Sequence, residues 1–374
     1  MAIEIKVPQA GESVTEADIA AVLTAADIPG VNLFGTIPGF EDQPVFAETT
    51  ARFKGEAVAA VVGDATRLSR FEQSDFPITW QELEAVQTVD TANLAQAPQL
   101  HKKDPSNLMC EGFVAHGDLA EGFANADFVS EGSFETSFVE HAYIEPEAVF
   151  SEMVNNRVHL HVCTQAPVMN QEALAKILDL DLEQIRIAPT AVGGGFGSKL
   201  DLTVHPFLAL ASVVTGKPVR MALSRSDSMA TSTKRHPGKI TVKGGVMNDG
   251  RVTAMQFDGD FNTGAYASWG PTVANRVPLH ASGPYRIPNY RAHSKAIYTH
   301  CPPAGAFRGF GVPQSAIAQE ALFDDLAKAV GMDALDFRVL NALENGVPTV
   351  SGQVFEQGVG IKACLEALRD AWES

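Results

Sequence analysis

Cysteine is scarce in this sequence. Its 374 residues hold four, Cys110, Cys163, Cys301 and Cys364, and no two of them form a C-x-x-C pair. A cysteine-ligated iron–sulfur cluster draws on several neighbouring thiolates, so none is expected on this chain. Scattered thiols fit a reducing compartment and mostly serve as small buried hydrophobes. Positive charge is also short: 28 Lys and Arg stand against 45 Asp and Glu, a net charge of −17. Such a surface repels phosphate backbones and anionic lipid, which argues against nucleic acid and membrane as partners. There is no apolar run of the roughly 18 residues a membrane helix needs. The N-terminus, Met1-Ala-Ile-Glu-Ile-Lys-Val-Pro8, lacks the basic and apolar regions of a signal peptide. These absences together predict a soluble, cytoplasmic protein.

What is present is ample material for a buried core, 45% hydrophobic residues over a length that exceeds one average domain. With 31 Gly and 21 Pro the chain reads as a mixed fold rich in turns rather than a helical bundle. Residues 1–95 are short apolar runs, among them Phe53–Gly63, which reads as a buried strand. Residues 96–112 are polar and irregular and read as a surface connector. From 113 to 374 strands and helices alternate. Arg157–Cys163 alternates with period two, as a half-buried strand does, and a helix is expected over 168–179 with Ala173, Leu174, Ile177 and Leu178 on one face. Gln184–Ala188 reads as a strand, and Phe207–Val214 as an apolar helix stopped by Gly216. Lys239–Val246 and Arg251–Asp260 form a hairpin across Asn248-Asp-Gly250. Helices are expected at 316–330, 334–343 and 362–372. The class is α+β.

The run Gly193-Gly-Gly-Phe-Gly197 stands between a strand and a helix. Glycine permits φ > 0 and a close approach of backbone to ligand, leaving N–H groups to meet an anion or an oxo group. A tight strand–helix turn would use the same glycines. A phosphate loop of the G-x-x-x-x-G-K-[ST] kind would need Gly at Ser198 and Ser or Thr at Leu200, and G-x-G-x-x-G also fails at Ser198.

Five segments carry a more specific signal. Ala191-Val-Gly-Gly-Gly-Phe-Gly-Ser-Lys199, Cys163-Thr-Gln-Ala-Pro167, Phe138-Val-Glu-His-Ala-Tyr-Ile-Glu-Pro146 and Ala306-Phe-Arg-Gly-Phe-Gly-Val-Pro-Gln314 are four of them. The fifth is Arg276-Val-Pro-Leu-His280 with Tyr285-Arg-Ile-Pro-Asn289. In this order and spacing the chain resembles the xanthine dehydrogenase/aldehyde oxidase family of molybdenum hydroxylases, over the first half of the molybdopterin-binding subunit. The resemblance implies a truncated small N-terminal α/β (hammerhead-like) domain, a connector, and the first molybdopterin-binding lobe. It implies hydroxylation of a carbon beside nitrogen or oxygen, in an N-heterocycle or an aldehyde, with water as the oxygen source. Molybdopterin is the implied cofactor, a cytosine dinucleotide form being left open, and no side chain is expected to ligate the metal directly.

The resemblance also assigns residues. Gly194, Gly195, Phe196 and Gly197 form the loop beside the molybdenum centre, with Arg308 fixing a neighbouring loop. Gln165 matches the Gln that hydrogen-bonds an oxo ligand, and its amide offers both a donor and an acceptor. Arg276 matches an Arg on the substrate side, where a permanent cation opposes charge that builds on the substrate heteroatom. Phe310 matches a Phe that packs on a flat ring. Glu140, His141 and Glu145 take a structural role near the pocket, and His159 and His161, on one strand face, read as packed or solvated.

Three departures qualify this. The family's catalytic Glu, in a Gly-Glu context of the second half, lies beyond this chain, so a base is expected from a partner. Partner chains are then a second molybdopterin-binding subunit, an FAD subunit and a 2Fe–2S subunit; a non-catalytic half-domain or assembly protein is the alternative. Leu200 stands where purine-specific members carry Glu, which weakens a purine substrate. Finally, Ile3–Pro8 and Gly11–Ala17 resemble the opening of a lipoyl carrier, but no lipoylated Asp-Lys-Ala turn follows.

Overall fold

The computed structural model describes residues 2–6, 19–69, 76–102 and 106–374. The lipoyl-like stretch Gly11–Ala17 lies outside them. The N-terminal part holds two small sheets. Strands β1 (Ala2–Lys6), β3 (Thr50–Ala51) and β5 (Thr79–Leu83) form one, in the order β3-β1-β5, and β2 (Ile19–Leu23) pairs with β4 (Ala60–Gly63) in the other. The strand expected over Phe53–Gly63 is therefore confined to its last four residues. Gly55 at φ +110° breaks extended backbone upstream of it.

Two larger sheets build the rest. Strands β6 (Leu108–His116) and β7 (Phe128–Glu135) are the edges of a five-stranded sheet, and β8 (Ala148–Val154), β9 (Arg157–Val162), β10 (Ile185–Pro189) and β11 (Val219–Ala222) make a four-stranded one, in the order β10-β9-β8-β11. With β12 (Gly238–Val246), β13 (Val252–Gly264) and β14 (Tyr290–Tyr298) the five-stranded order is β6-β14-β13-β12-β7. Strand β6 begins inside the stretch expected to be a surface connector, and Leu100, His101 and Asn107 before it are buried. The Asn248-Asp-Gly250 hairpin joins β12 to β13, with Gly250 at φ +87°.

Each large sheet contains one parallel pair. Strands β9 and β10 run parallel, connected by the helix Pro167–Leu178. Strands β13 and β14 also run parallel, and the helix Gly270–His280 lies between them in sequence. A parallel pair needs such a crossover, and ligands in open α/β sheets bind beyond the carboxyl ends of the strands. Leu174, Ile177 and Leu178 pack with Val158, Leu160, Val162 and Ile185 and with the helix His205–Thr215 to fill the first core. The second core lies between β12, β13, β14 and the helices Gly270–His280 and Val312–Ala329. The N-terminal part is not separate: Leu23 and Phe46 belong to the first core, with Phe46 5.1 Å from Phe207, and Phe53 packs with Tyr266 and Tyr298. Among the described residues no helix is long and apolar enough to cross a membrane.

Candidate active site

The segments beyond the carboxyl ends of both parallel pairs converge. Gln165 follows β9, the glycine loop follows β10, Trp269 follows β13, and the 305–311 loop follows β14. Hydrogen bonds and close packing join them. Gly197 N–H donates to Gln165 Oε1 at 3.1 Å, and Gln165 N–H donates to the Lys199 carbonyl at 2.9 Å. Arg308 N–H donates to the Phe196 carbonyl at 2.8 Å. A Cβ on Gly197 would lie 2.6 Å from the Ala306 carbonyl oxygen, so the glycine is what lets the two loops touch.

The backbone here is strained. Phe196, Phe310 and Ser268 all have positive φ, at +53°, +47° and +42°. Each such residue costs on the order of 1–3 kcal/mol and persists only where its surroundings enforce it. The enforcing contacts are visible. His141, 6% exposed, hydrogen-bonds the Ala306 carbonyl through Nε2 at 2.8 Å and stacks on Phe307 at 3.9 Å. The Arg235 guanidinium also lies over the Phe307 ring, 3.9 Å from its centroid, and donates to the Arg308 carbonyl at 2.9 Å. Burial lowers the affinity of both His141 and Arg235 for their protons.

Beneath the glycine loop lies a half-buried ion pair that sequence reasoning missed. Lys199, 1% exposed, places Nζ 2.7 Å from Glu145 Oε2 and 3.0 Å from the Glu145 carbonyl, and lies over the Tyr143 ring. The same carboxylate oxygen accepts from Gly193 N–H at 2.7 Å. Burial pushes the Glu145 carboxyl up, but the Lys199 ammonium and the Gly193 N–H outweigh it and hold it below the usual range. The Glu140–His141–Glu145 cluster thus divides: Glu140 pairs with Lys234 at 2.6 Å, and Glu145 with Lys199. No group of His, Cys, Asp and Glu among the described residues suits a metal ion.

The residues fit an oxo-bearing, anionic cofactor by their donor set. Gln165 commits Oε1 to Gly197, which leaves its amide Nε2 as a donor without a protein acceptor among the described residues. The N–H groups of Gly194, Gly195 and Phe196 likewise donate to no protein atom among the described residues. Gly195 is buried and Gly194 half-buried, while Phe196 and Gln165 are exposed, so this set of uncommitted donors lies at the surface within reach of an acceptor from outside the chain. A Cβ on Gly195 would lie 2.4 Å from Gln165 Oε1, so a side chain there would displace the Gln165 amide.

The substrate-side residues form a second group. Arg276 is exposed, pairs with no carboxylate among the described residues, and lies 5.5 Å from the Phe310 ring centroid. Phe310 meets Trp269 edge-on, at 5.6 Å and 87°. Sequence reasoning passed over Trp269, although a signal existed. It is one of three tryptophans, and it precedes Arg276 by seven residues at the start of the helix Gly270–His280, which puts both on one helix face. Leu200 is half-buried and tied in through its backbone, donating to the Gly197 carbonyl and accepting from Asn170 Nδ2. The Arg308 side chain is exposed without an ion pair among the described residues.

A family model described as a molybdopterin cofactor-binding domain matches residues 100–342. The large molybdopterin subunit of nicotinate dehydrogenase from Eubacterium barkeri is 38% identical over 353 residues, 94% of this chain and 82% of that subunit. The chain belongs to the molybdenum hydroxylase family. It covers part of a large subunit. A polypeptide of a probable xanthine dehydrogenase from Bacillus subtilis is 35% identical over 324 residues, 86% of this chain and 43% of that polypeptide. The aldehyde oxidoreductase structure from Desulfovibrio gigas superimposes with a TM-score of 0.92 at 27% identity, covering all of this chain and 42% of that one. The mixed helix-and-sheet architecture and the resemblance carried by the five segments are thereby borne out.

Proposed function

We propose that this chain is the molybdopterin-binding, substrate-orienting part of a cytoplasmic, multi-subunit hydroxylase that acts on a planar N-heteroaromatic acid of the nicotinate kind. Residues 1–95 serve as the smaller hammerhead-like domain and residues 113–374 as the first cofactor-binding lobe. The observation that carries the proposal is the set of uncommitted donors: Gly194, Gly195 and Phe196 N–H and the Gln165 amide amine. These residues would hold molybdopterin. When bound, that cofactor supplies a two-electron oxidant for hydroxylation with water as the oxygen source.

The chain's own contribution is recognition and charge. Phe310 and Trp269 offer two ring faces at right angles, and a flat heterocycle gains about 0.5–1.5 kcal/mol per favourable aromatic contact. The Arg276 guanidinium, beside Phe310 and without an ion pair among the described residues, suits a carboxylate or the negative charge that develops on a ring nitrogen. Leu200 offers no hydrogen bond where a purine-specific site would have a carboxylate. The likeness to the nicotinate dehydrogenase subunit supports the acid over a purine or an aldehyde. The base, the rest of the cofactor site, the FAD and the 2Fe–2S clusters would come from partner polypeptides.

Co-expression with the polypeptides encoded beside it, followed by metal analysis of the purified complex, tests the proposal. We expect about one molybdenum per chain and dye-linked oxidation of nicotinate. A complete complex without molybdenum would sink it.

A further inference from the structure

Four residues past the glycine loop stands a carboxylate that the proposed function does not use. Asp201 is 6% exposed and has no cation beside it among the described residues. Its oxygens are divided between two adjacent residues far along the chain. Oδ2 accepts from Ser268 Oγ at 2.5 Å and Oδ1 from Trp269 Nε1 at 2.9 Å. The Thr36 hydroxyl is a third neighbour. An indole N–H is a donor only, so its one acceptor fixes one direction in the plane of the ring. That plane is the one that meets Phe310 at 87°, and Phe310 is the ring under Arg276.

A buried carboxylate without a counter-ion is costly, and an amide or an apolar residue would fill the same space at less expense. What the carboxylate alone provides is two acceptor oxygens with no competing donor. We infer that Asp201 is a positioning residue: by holding Ser268 and Trp269 Nε1 it locks the indole square to Phe310, and so shapes the aromatic corner beneath Arg276 that receives the substrate ring. The inference rests on the substrate site proposed above, but its mechanical part does not depend on the cofactor.

Burial pushes the Asp201 carboxyl up to about 6, against the opposing pull of the Ser268 and Trp269 donors. The groups facing it are hydroxyls and an indole, so no neighbouring titration obscures its own. Protonation turns one acceptor oxygen into a donor, so the Ser268 hydroxyl must accept where it now donates, or the clamp loses that bond. The corner should loosen as pH falls through that value.

The test uses the full chain with Trp80→Phe and Trp372→Phe, which leaves Trp269 as the sole tryptophan. Its emission should titrate once between pH 5 and 7, and Asp201→Asn should abolish the titration while far-UV circular dichroism stays unchanged. Ser268→Ala removes a donor that favours the ionised form, so it should move the midpoint upward. Emission that is flat in the parent, or that titrates unchanged in Asp201→Asn, would overturn the inference. Should Asp201→Asn not fold, an unmoved midpoint in Ser268→Ala would overturn it equally. In the assembled complex Asp201→Asn should raise KM for nicotinate about threefold to tenfold, the worth of one hydrogen bond, with kcat nearly unchanged. A fall confined to kcat would contradict positioning. Absence of molybdenum from that complex would remove the proposed function and leave the emission result standing.

Discussion

Gly195 and Gly197 stand two residues apart, yet a methyl group should be tolerated very differently at each. At Gly195 a Cβ would meet the far end of the Gln165 side chain, which can swing away. At Gly197 it would meet the Ala306 backbone, and the residue's φ of +114° is one that side chains rarely adopt. Gly197→Ala should therefore cost on the order of 1–3 kcal/mol in denaturant unfolding, and Gly195→Ala clearly less. Gly195→Ala should instead lose cofactor, because displacing Gln165 breaks its bond to Gly197; equal stability losses would refute the distinction. The ion pair below the loop gives a pH prediction. The Glu145 carboxyl is held below its ordinary range, so its contribution is present above that range and is lost as pH falls through the folded value. Lys199→Met removes the cation that holds it there. The stability gap between wild type and Lys199→Met should narrow on acidification from pH 6 towards pH 3.5, as read by urea midpoints.

The elements themselves were largely legible in the sequence, and the exceptions have physical causes. The helix Pro167–Leu178 and the strand Ile185–Pro189 announce themselves because each buries one face against one core, which imposes its period on the residues. The hairpin over β12 and β13 was set by Asn-Asp-Gly. By contrast, β6 alternates only weakly, with a burial pattern dominated by half-exposed positions, because it is an edge strand of the five-stranded sheet. Its identity depends on pairing with β14, some 180 residues away, which no local pattern encodes. The same holds for the site: motif residues could be picked out singly, whereas the contact of Asp201 with Trp269 spans 68 residues. The helix Val312–Ala329 illustrates an element held by packing. Phe323 is fully buried, edge-on to Phe337 at 5.5 Å and 4.6 Å from Tyr285. Phe323→Ala should cost roughly 3–5 kcal/mol and lower the melting temperature accordingly; a loss below about 1 kcal/mol would mean that the site collapses around the gap.

At the scale of the molecule, the N-terminal part acts as a clamp on the segment that presents Trp269. Asp42 accepts from Ala267 N–H with both oxygens at 3.0 Å and from the Tyr298 hydroxyl at 2.8 Å. Thr36 donates to the Ser268 carbonyl at 3.2 Å, and Glu56 accepts from the Tyr266 hydroxyl while Arg52 bonds the same oxygen at 3.2 Å. Three consecutive residues, Tyr266 to Ser268, are thus fixed from outside their own sheet, which explains how Ser268 sustains a positive φ. Shared cores reinforce the link, since Phe46 and Leu23 fill the first and Phe53 packs under Tyr266. Units that share buried apolar contacts to this extent unfold together rather than in sequence. Single-tryptophan variants can read the two parts separately, because Trp80 lies in the N-terminal sheet and Trp269 at the site. Their emission should give coincident urea midpoints, each matching far-UV circular dichroism. Asp42→Ala should speed amide hydrogen exchange at Ala267 by about tenfold or more, the loss of a hydrogen bond to a charged acceptor, and should shift both midpoints together. A Trp80 midpoint that moved while that of Trp269 stayed in place would show the N-terminal part to be a separate folding unit, and the clamp would have to be assigned to the lobe alone.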